Sequence, residues 1–295
     1  MRTIGLLGVP TNSAGTTNGV ARAPTTLREV GLIDALRQHT DVHDYGDVML
    51  PDPSPDRDPM TLLIDHHGLI AMVTRVRDLV TSVLDNGHFP LVTGGDCPLL
   101  LGCLAAAKSN ERIGLLFVDG HEDAYLPAQS STGEAADSEL AFALGMADVS
   151  WSPELAAVLA LVAPADVRML GARDAGLLRA EGVASLGDRI ALVDGDHLSA
   201  EPSVATAEAV SHLADPWWFH LDLDVLSTQA LPAIDYPQPG GLGWNELSLV
   251  VSTAMGANPT GWDITIYNPD LDPERIHAQR IVDLIRSAIA IDDSR

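Results

Sequence analysis

The sequence predicts an α/β fold built on a largely parallel sheet, and three observations carry that reading. Apolar runs of strand length alternate with amphipathic helical stretches along the whole chain, the pattern of repeated βαβ units. Of the 295 residues, 46% are hydrophobic and 20% charged, ample material for a sizeable core, which excludes disorder and collagen-like repetition. No internal repeat or low-complexity tract is visible, which removes solenoids and propellers.

Eight strands are expected, at residues 3–8, 42–48, 89–93, 113–119, 167–171, 190–194, 218–223 and 261–266. The second is the weakest, being polar and short of branched residues. Helices are expected at 24–38, 62–86, 98–108, 138–146, 153–162, 200–213, 244–254 and 273–289. Pro24, Pro98, Pro153 and Pro273 fit the first helical position, where a missing N–H costs nothing. The Pro/Asp-rich segment 50–59 is the one candidate linker, but βα alternation resumes beyond it unchanged. It reads as a surface loop within a single domain spanning 1–295.

Acidic residues outnumber basic ones 41 to 17, a formal charge of −24, which argues against nucleic acid and anionic membrane surfaces as partners. No apolar run is long enough for a membrane span. Met1-Arg2-Thr3 leads into the first strand without a signal-peptide layout, so a cytoplasmic location is the default. The two cysteines, Cys97 and Cys103, stand six residues apart at a loop-to-helix junction and face different ways, so no disulfide is expected.

Ligands of open parallel sheets bind outside the carboxyl ends of the strands. Three such ends carry chemistry. In Leu115-Leu116-Phe117-Val118-Asp119-Gly120-His121-Glu122-Asp123, the residues Asp119, His121 and Asp123 are spaced i, i+2, i+4, so continued extension would turn all three to one face. In Trp217-Trp218-Phe219-His220-Leu221-Asp222-Leu223-Asp224, the pair Asp222 and Asp224 repeats the device. Four aspartates in one cleft would repel one another unless cations neutralised them, and two divalent ions balance four carboxylates. Oxygen-rich ligation with one imidazole suits a hard ion such as manganese. The third end, Thr93-Gly94-Gly95-Asp96-Cys97-Pro98, allows a sharp turn and close backbone approach, with Asp96 placed to cap the next helix and Cys97 at the mouth.

Gly94-Gly95-Asp96-Cys97, Asp119-Gly120-His121-Glu122-Asp123 and Asp222-Leu223-Asp224 together resemble, in order and spacing, the signature blocks of the arginase/agmatinase/formiminoglutamase (ureohydrolase) family. The resemblance extends to Gly8-Val9-Pro10, Ala23-Pro24-Thr25-Thr26-Leu27-Arg28, Gly171-Ala172-Arg173-Asp174, Asp235-Tyr236-Pro237-Gln238-Pro239-Gly240-Gly241-Leu242 and the run from Trp262 to Pro269. It covers nearly the whole chain. The resemblance implies a three-layer αβα sandwich around an eight-stranded, mostly parallel sheet. It also implies two divalent ions, manganese first, with zinc, iron and nickel as alternatives. One ion would take Cys97, Asp119, Asp123 and Asp222; the other would take His121, Asp119, Asp222 and Asp224. Such a pair activates water against a planar C–N carbon of a guanidino or formimino group. A homo-oligomer, trimer or hexamer, is also implied.

Three departures from the family pattern bear on substrate. Cys97 stands where the family has histidine; a thiolate would favour a softer ion, and a protonated thiol would weaken that position. Ile266 stands where a glutamate pairs with the substrate guanidinium, which makes plain arginine a poor substrate, with Asp263 as a replacement charge if the strand end is rearranged. Ala136 stands where a loop histidine transfers protons, leaving Glu134 or Asp137 as shuttle or substrate contact, with Thr132 beside them. Against that role, Asp137 would serve as a helix cap and Glu139 as a partner of the helix dipole.

The expected activity is therefore metal-dependent hydrolysis of a linear C–N bond in a small amidine, guanidine or formimino compound. A single-zinc amide hydrolase like the related deacetylases is the first alternative, opposed by the retained Asp123 and Asp224. A metal-stabilised partner subunit without activity is the second, motivated by the missing histidine and glutamate. His66-His67 reads as an exposed pair at a helix start, and Asp194-Gly195-Asp196-His197 as a strand-to-helix turn with a capping residue.

Overall fold

A computed structural model of the chain describes residues 2–108, 112–159 and 162–290. Its strands are β1 (Ile4–Val9), β2 (Val42–Asp47), β3 (Phe89–Gly94), β4 (Gly114–Val118), β5 (Val167–Ala172), β6 (Ala191–Asp194), β7 (Trp217–Asp222) and β8 (Gly261–Thr265). They form one sheet in the order β2-β1-β3-β8-β7-β4-β5-β6, with every pairing parallel. Each expected strand is present, to within a residue or two at its ends.

The helices are α1 (Ala23–Glu29), α2 (Leu32–Arg37), α3 (His66–Asp85), α4 (Leu99–Ala107), α5 (Glu139–Ala143), α6 (Pro153–Val158), α7 (Ala175–Glu181), α8 (Gly195–Ala200), α9 (Pro202–Ser211), α10 (Trp244–Gly256) and α11 (Ile276–Ala290). Boundary differences have local causes. The helix expected at 24–38 breaks at Gly31, whose φ of 95° ends α1 and opens α2. The one expected from 62 starts at His66, because the Asp65 side chain caps the N–H of Gly68. The helix expected at 200–213 opens at Pro202 as α9, and a short helix not expected from the sequence, α8, precedes it at the turn expected over 194–197. Pro273 precedes α11 rather than opening it. The helix expected at 153–162 ends at Val158; its residues 160 and 161 lie outside the described ones. Helix α7 was not foreseen.

Alternation along the strands sorts the core into two layers. Leu116, Val118, Phe219, Leu221, Trp262 and Ile264 face α1, α2, α9, α10 and α11. Leu115, Phe117, Trp218, Leu7 and Val92 face α3, α4 and α5. The result is a three-layer αβα sandwich whose central pair, β8 and β7, is enclosed on both sides. Segment 50–59 is a loop tied down by Arg57, whose guanidinium donates to the carbonyls of Leu62 and Ser130 at 2.8 Å each. His66 packs against His67 and Trp151, and Asp194 caps α8 through the N–H of His197. No helix among the described residues is long and apolar enough to cross a membrane.

The register aligns Phe219 of β7 with Trp262 of β8, and their rings stack at 5.5 Å between centroids. Phe219 faces away from the strand-end carboxylates, so it reports on the scaffold alone. Phe219→Ala should cost about 3–5 kcal/mol in urea unfolding; a loss below about 1 kcal/mol would show that this layer is not close-packed.

Candidate metal centre and substrate cleft

The strand-end aspartates are held by the backbone that presents them. Asp119, just past β4, accepts the His121 N–H on Oδ1 at 2.6 Å. Asp222, at the end of β7, accepts the Asp224 N–H on Oδ1 at 2.6 Å. Asp224 reaches across and accepts the Gly120 N–H at 2.9 Å. Gly120 has no room for a side chain, since a Cβ there would lie 2.5 Å from Arg173 Nη1 and 2.8 Å from Asp224 Oδ1. One oxygen of each carboxylate is thus fixed, and the other is turned inward. Asp119 Oδ2 is buried with no hydrogen-bond partner, while Asp224 Oδ2 lies 2.7 Å from His121 Nδ1. Asp123, half-buried, lines the same cleft.

Among the described residues, two donor sets share Asp119. One is Asp119, His121 and Asp224; the other is Cys97, Asp119, Glu139 and His220, with the donor atoms of each set within 4.8 Å of one another. Two unit charges at that separation repel by about 3–4 kcal/mol at an effective dielectric near 20. Burial raises the Asp119 pKa well above the usual carboxylate range, and Asp222, Asp123 and Asp224 push it further. Asp222 is raised likewise, by burial and by Asp224, and Asp123 chiefly by burial. Burial disfavours protonated His121, yet Asp224, Asp123 and Asp174 outweigh it and lift its pKa to about 10. Without ions, protons must neutralise these groups.

The Cys97 thiol is fully buried and points at the centre: Sγ donates to Asp222 Oδ2 at 2.9 Å and lies 3.0 Å from Thr265 Oγ1. Burial, then the charges of Asp222, Glu139 and Asp119, raise its pKa well above the ordinary thiol value. Cys103 is buried in α4, and both thiols are free. Asp96 does not cap α4. It accepts the N–H groups of Ser13 and Cys97, fixing the loop after β1 to the loop after β3.

The cleft has a volume of about 770 Å³ and lies over these groups. Thr132, Glu134, Asp137 and Ile266 line it. Asp137 caps no helix: Ser130 Oγ and Thr132 Oγ1 donate to its Oδ2 at 2.5 and 2.7 Å. Glu134 accepts from the Tyr236 hydroxyl at 2.7 Å. Burial, then Asp96, Asp137 and Asp235, raise its pKa to about 7 against the Tyr236 hydrogen bond. Ile266 sits at φ 68°, rare for a branched side chain, and its N–H is tied to the Gly95 carbonyl at 2.8 Å.

One placement differs from expectation. Asp263 does not line the cleft; it is fully buried in β8, with Trp218 Nε1 donating to Oδ1 at 2.5 Å and His220 Nδ1 2.6 Å from Oδ2. Glu139 does stand in the first turn of α5, where it meets the helix dipole, but it is wholly buried with both oxygens unpartnered. His220 escaped the sequence reading although it precedes Asp222 by the same two-residue step that groups Asp222 with Asp224.

The described residues fit divalent ions: an unpartnered buried carboxylate oxygen, a thiol, two imidazoles and further carboxylates converge where no lysine or arginine lines the cleft. The sequence matches the model of the "Arginase family" over residues 2–290. It is 27% identical to Arginase-1 of Homo sapiens, across 98% of this chain and 91% of that protein. Solved structures of the arginases of Bacillus caldovelox and Bacillus cereus superpose with TM-scores of 0.84 and 0.82, each at 26% identity and over 98% of both chains.

Protons and ions compete for the same groups, and the raised values of His121, Asp119 and Asp222 mean that bound protons must leave when a metal enters. Titrating the metal-free chain with Mn²⁺ in buffers of differing ionisation enthalpy should reveal proton release, with affinity climbing from about pH 6 to about pH 8. Affinity that is flat with pH would contradict this electrostatic description.

Proposed function

The chain belongs to the arginase family, and on that premise we propose that it is a dinuclear-metal hydrolase cleaving a linear C–N bond of a small amidine, guanidine or formimino compound other than plain arginine. The overlap of two buried donor sets at Asp119 carries this reading. The ions sit among Cys97, Asp119, His121, Asp123, Asp222 and Asp224, with Mn²⁺ the first candidate and Zn²⁺, Fe²⁺ or Ni²⁺ the others. The working unit is one domain spanning 1–295, in a trimer or hexamer.

When bound, a divalent pair supplies an activated water at neutral pH. The protein's part is to place the substrate and move protons. Ile266 gives the inner cleft an apolar contact, and a guanidinium buried there without a counter-charge would lose several kcal/mol. That contact supports a substrate whose reacting group is not held as arginine's would be. Asp137 and Asp235 also line the cleft, which favours a compound carrying a positive charge. Glu134 then takes up the proton shed as water attacks and returns it to the departing nitrogen, a task suited to a group titrating near neutrality.

A release assay for urea, ammonia and formamide over guanidino, formimino and amide compounds tests the reading. The metal-loaded chain should turn over a cationic amidine or formimino compound and leave arginine nearly untouched. Turnover of simple amides with one ion per chain would instead indicate deacetylase-like chemistry, and silence toward all of them would indicate an inactive partner subunit. With a substrate in hand, Glu134→Gln should lower kcat by about 100-fold and remove the rise in rate through about pH 7. An unchanged profile would remove Glu134 from the mechanism.

A further inference from the structure

Glu139 and His220 have no role in the cleft as read above, yet both are wholly enclosed at its floor. Both oxygens of Glu139 and Nε2 of His220 lack hydrogen-bond partners. They face one another at 3.6 Å, beyond hydrogen-bond range. The other ring nitrogen, Nδ1, lies 2.6 Å from Asp263 Oδ2 and donates its proton there. Trp218 Nε1 holds the opposite oxygen of Asp263, and Phe117 stacks on the imidazole at 4.7 Å between centroids. The ring cannot turn freely, and its Nε2 lone pair is presented to Glu139, Asp119 and Cys97 Sγ.

A lone pair facing a carboxylate inside a protein is repulsive unless a proton or a cation lies between them, and 3.6 Å is longer than a shared proton would hold them. A carboxylate fixing the far nitrogen of an imidazole is the usual way a protein sets the tautomer of a metal-binding histidine. Tetrahedral bonds of about 2.0–2.1 Å place two N/O ligands about 3.4 Å apart, close to the separation found here. Thiolate, imidazole and carboxylate together suit a zinc-class ion better than manganese.

We propose that the ion associated with Cys97 lies in this interior pocket, held by Cys97 Sγ, Asp119, Glu139 and His220 Nε2 rather than by Asp123 and Asp222, and that it is of the zinc class. This rests on the two-ion reading and moves one of its ions a pleat deeper into the sheet. On binding, the Cys97 S–H bond breaks, its proton leaves to solvent, and sulfur bonds the ion with no change of oxidation state. Asp123 is then free to face the substrate, and Asp263 acts as a positioning residue for His220.

Cobalt(II) substitution of the full chain tests it through the near-ultraviolet thiolate-to-cobalt band. The band should be present in the wild type, be lost in Glu139→Gln and His220→Asn, and persist in Asp123→Asn. Asp263→Asn should weaken binding by about 10–100-fold while keeping the band at saturation. A band that survives both interior substitutions and disappears in Asp123→Asn overturns the proposal, as does a fully loaded wild type without it. If the interior variants do not fold, an anomalous difference map of zinc-loaded wild-type crystals decides, since the peak must lie within bonding distance of both Cys97 Sγ and His220 Nε2. Amidine turnover is measured separately: an active enzyme that fails the cobalt test refutes this inference and leaves the hydrolase reading standing.

Discussion

Asp119 carries the constraint that organises the rest of the molecule. It follows the interior strand β4, its Oδ1 is taken by the N–H of His121, and its Oδ2 is enclosed with nothing to bind. Both donor sets pass through it. The sheet order places β7 beside β4, so Asp222 and Asp224 arrive at the same point with one oxygen of each fixed by a backbone N–H and the other turned inward. The fold therefore spends rigid hydrogen bonds on assembling a cluster of groups that oppose one another. Such an arrangement is tolerable only if protons or metal ions occupy its centre.

The departures from the family pattern share a direction. Cys97, where the family has histidine, sets a buried thiol beside Glu139 and His220. Ile266, held at a left-handed backbone angle by its bond to Gly95, gives an apolar contact at the reacting end. Carboxylates along the cleft wall, with Arg57 pinning the loop that carries Thr132 and Glu134, keep the attraction for cationic compounds.

Much of this was legible in the chain. Branched and aromatic runs marked every strand but the polar β2, and two-residue spacing after β4 and β7 marked the aspartates, because side-chain alternation is a local property. What escaped was non-local. Glu139 reads as a partner of the helix dipole until the sandwich closes over α5 and leaves its carboxylate beside Cys97 and His220. His220 and Asp263 read as polar interruptions of buried strands, and only the parallel register, which sets them side by side, shows that one orients the other. Asp263 was expected at the substrate for the same reason: sequence places a residue on a strand but not the depth at which its neighbours claim it. Helix α7 and the break at Gly31 were missed because short helices depend more on packing than on propensity.

Equilibrium urea unfolding of Asp119→Asn beside the wild type, each stripped of ions and then saturated with them, bears most directly on the central claim. The account predicts opposite signs: the substitution should stabilise the stripped chain, by removing one repelling group from the centre, and destabilise the loaded one, by removing the shared ligand. Destabilisation of equal size in both states would contradict it, because Asp119 would then be an ordinary buried hydrogen-bonding residue.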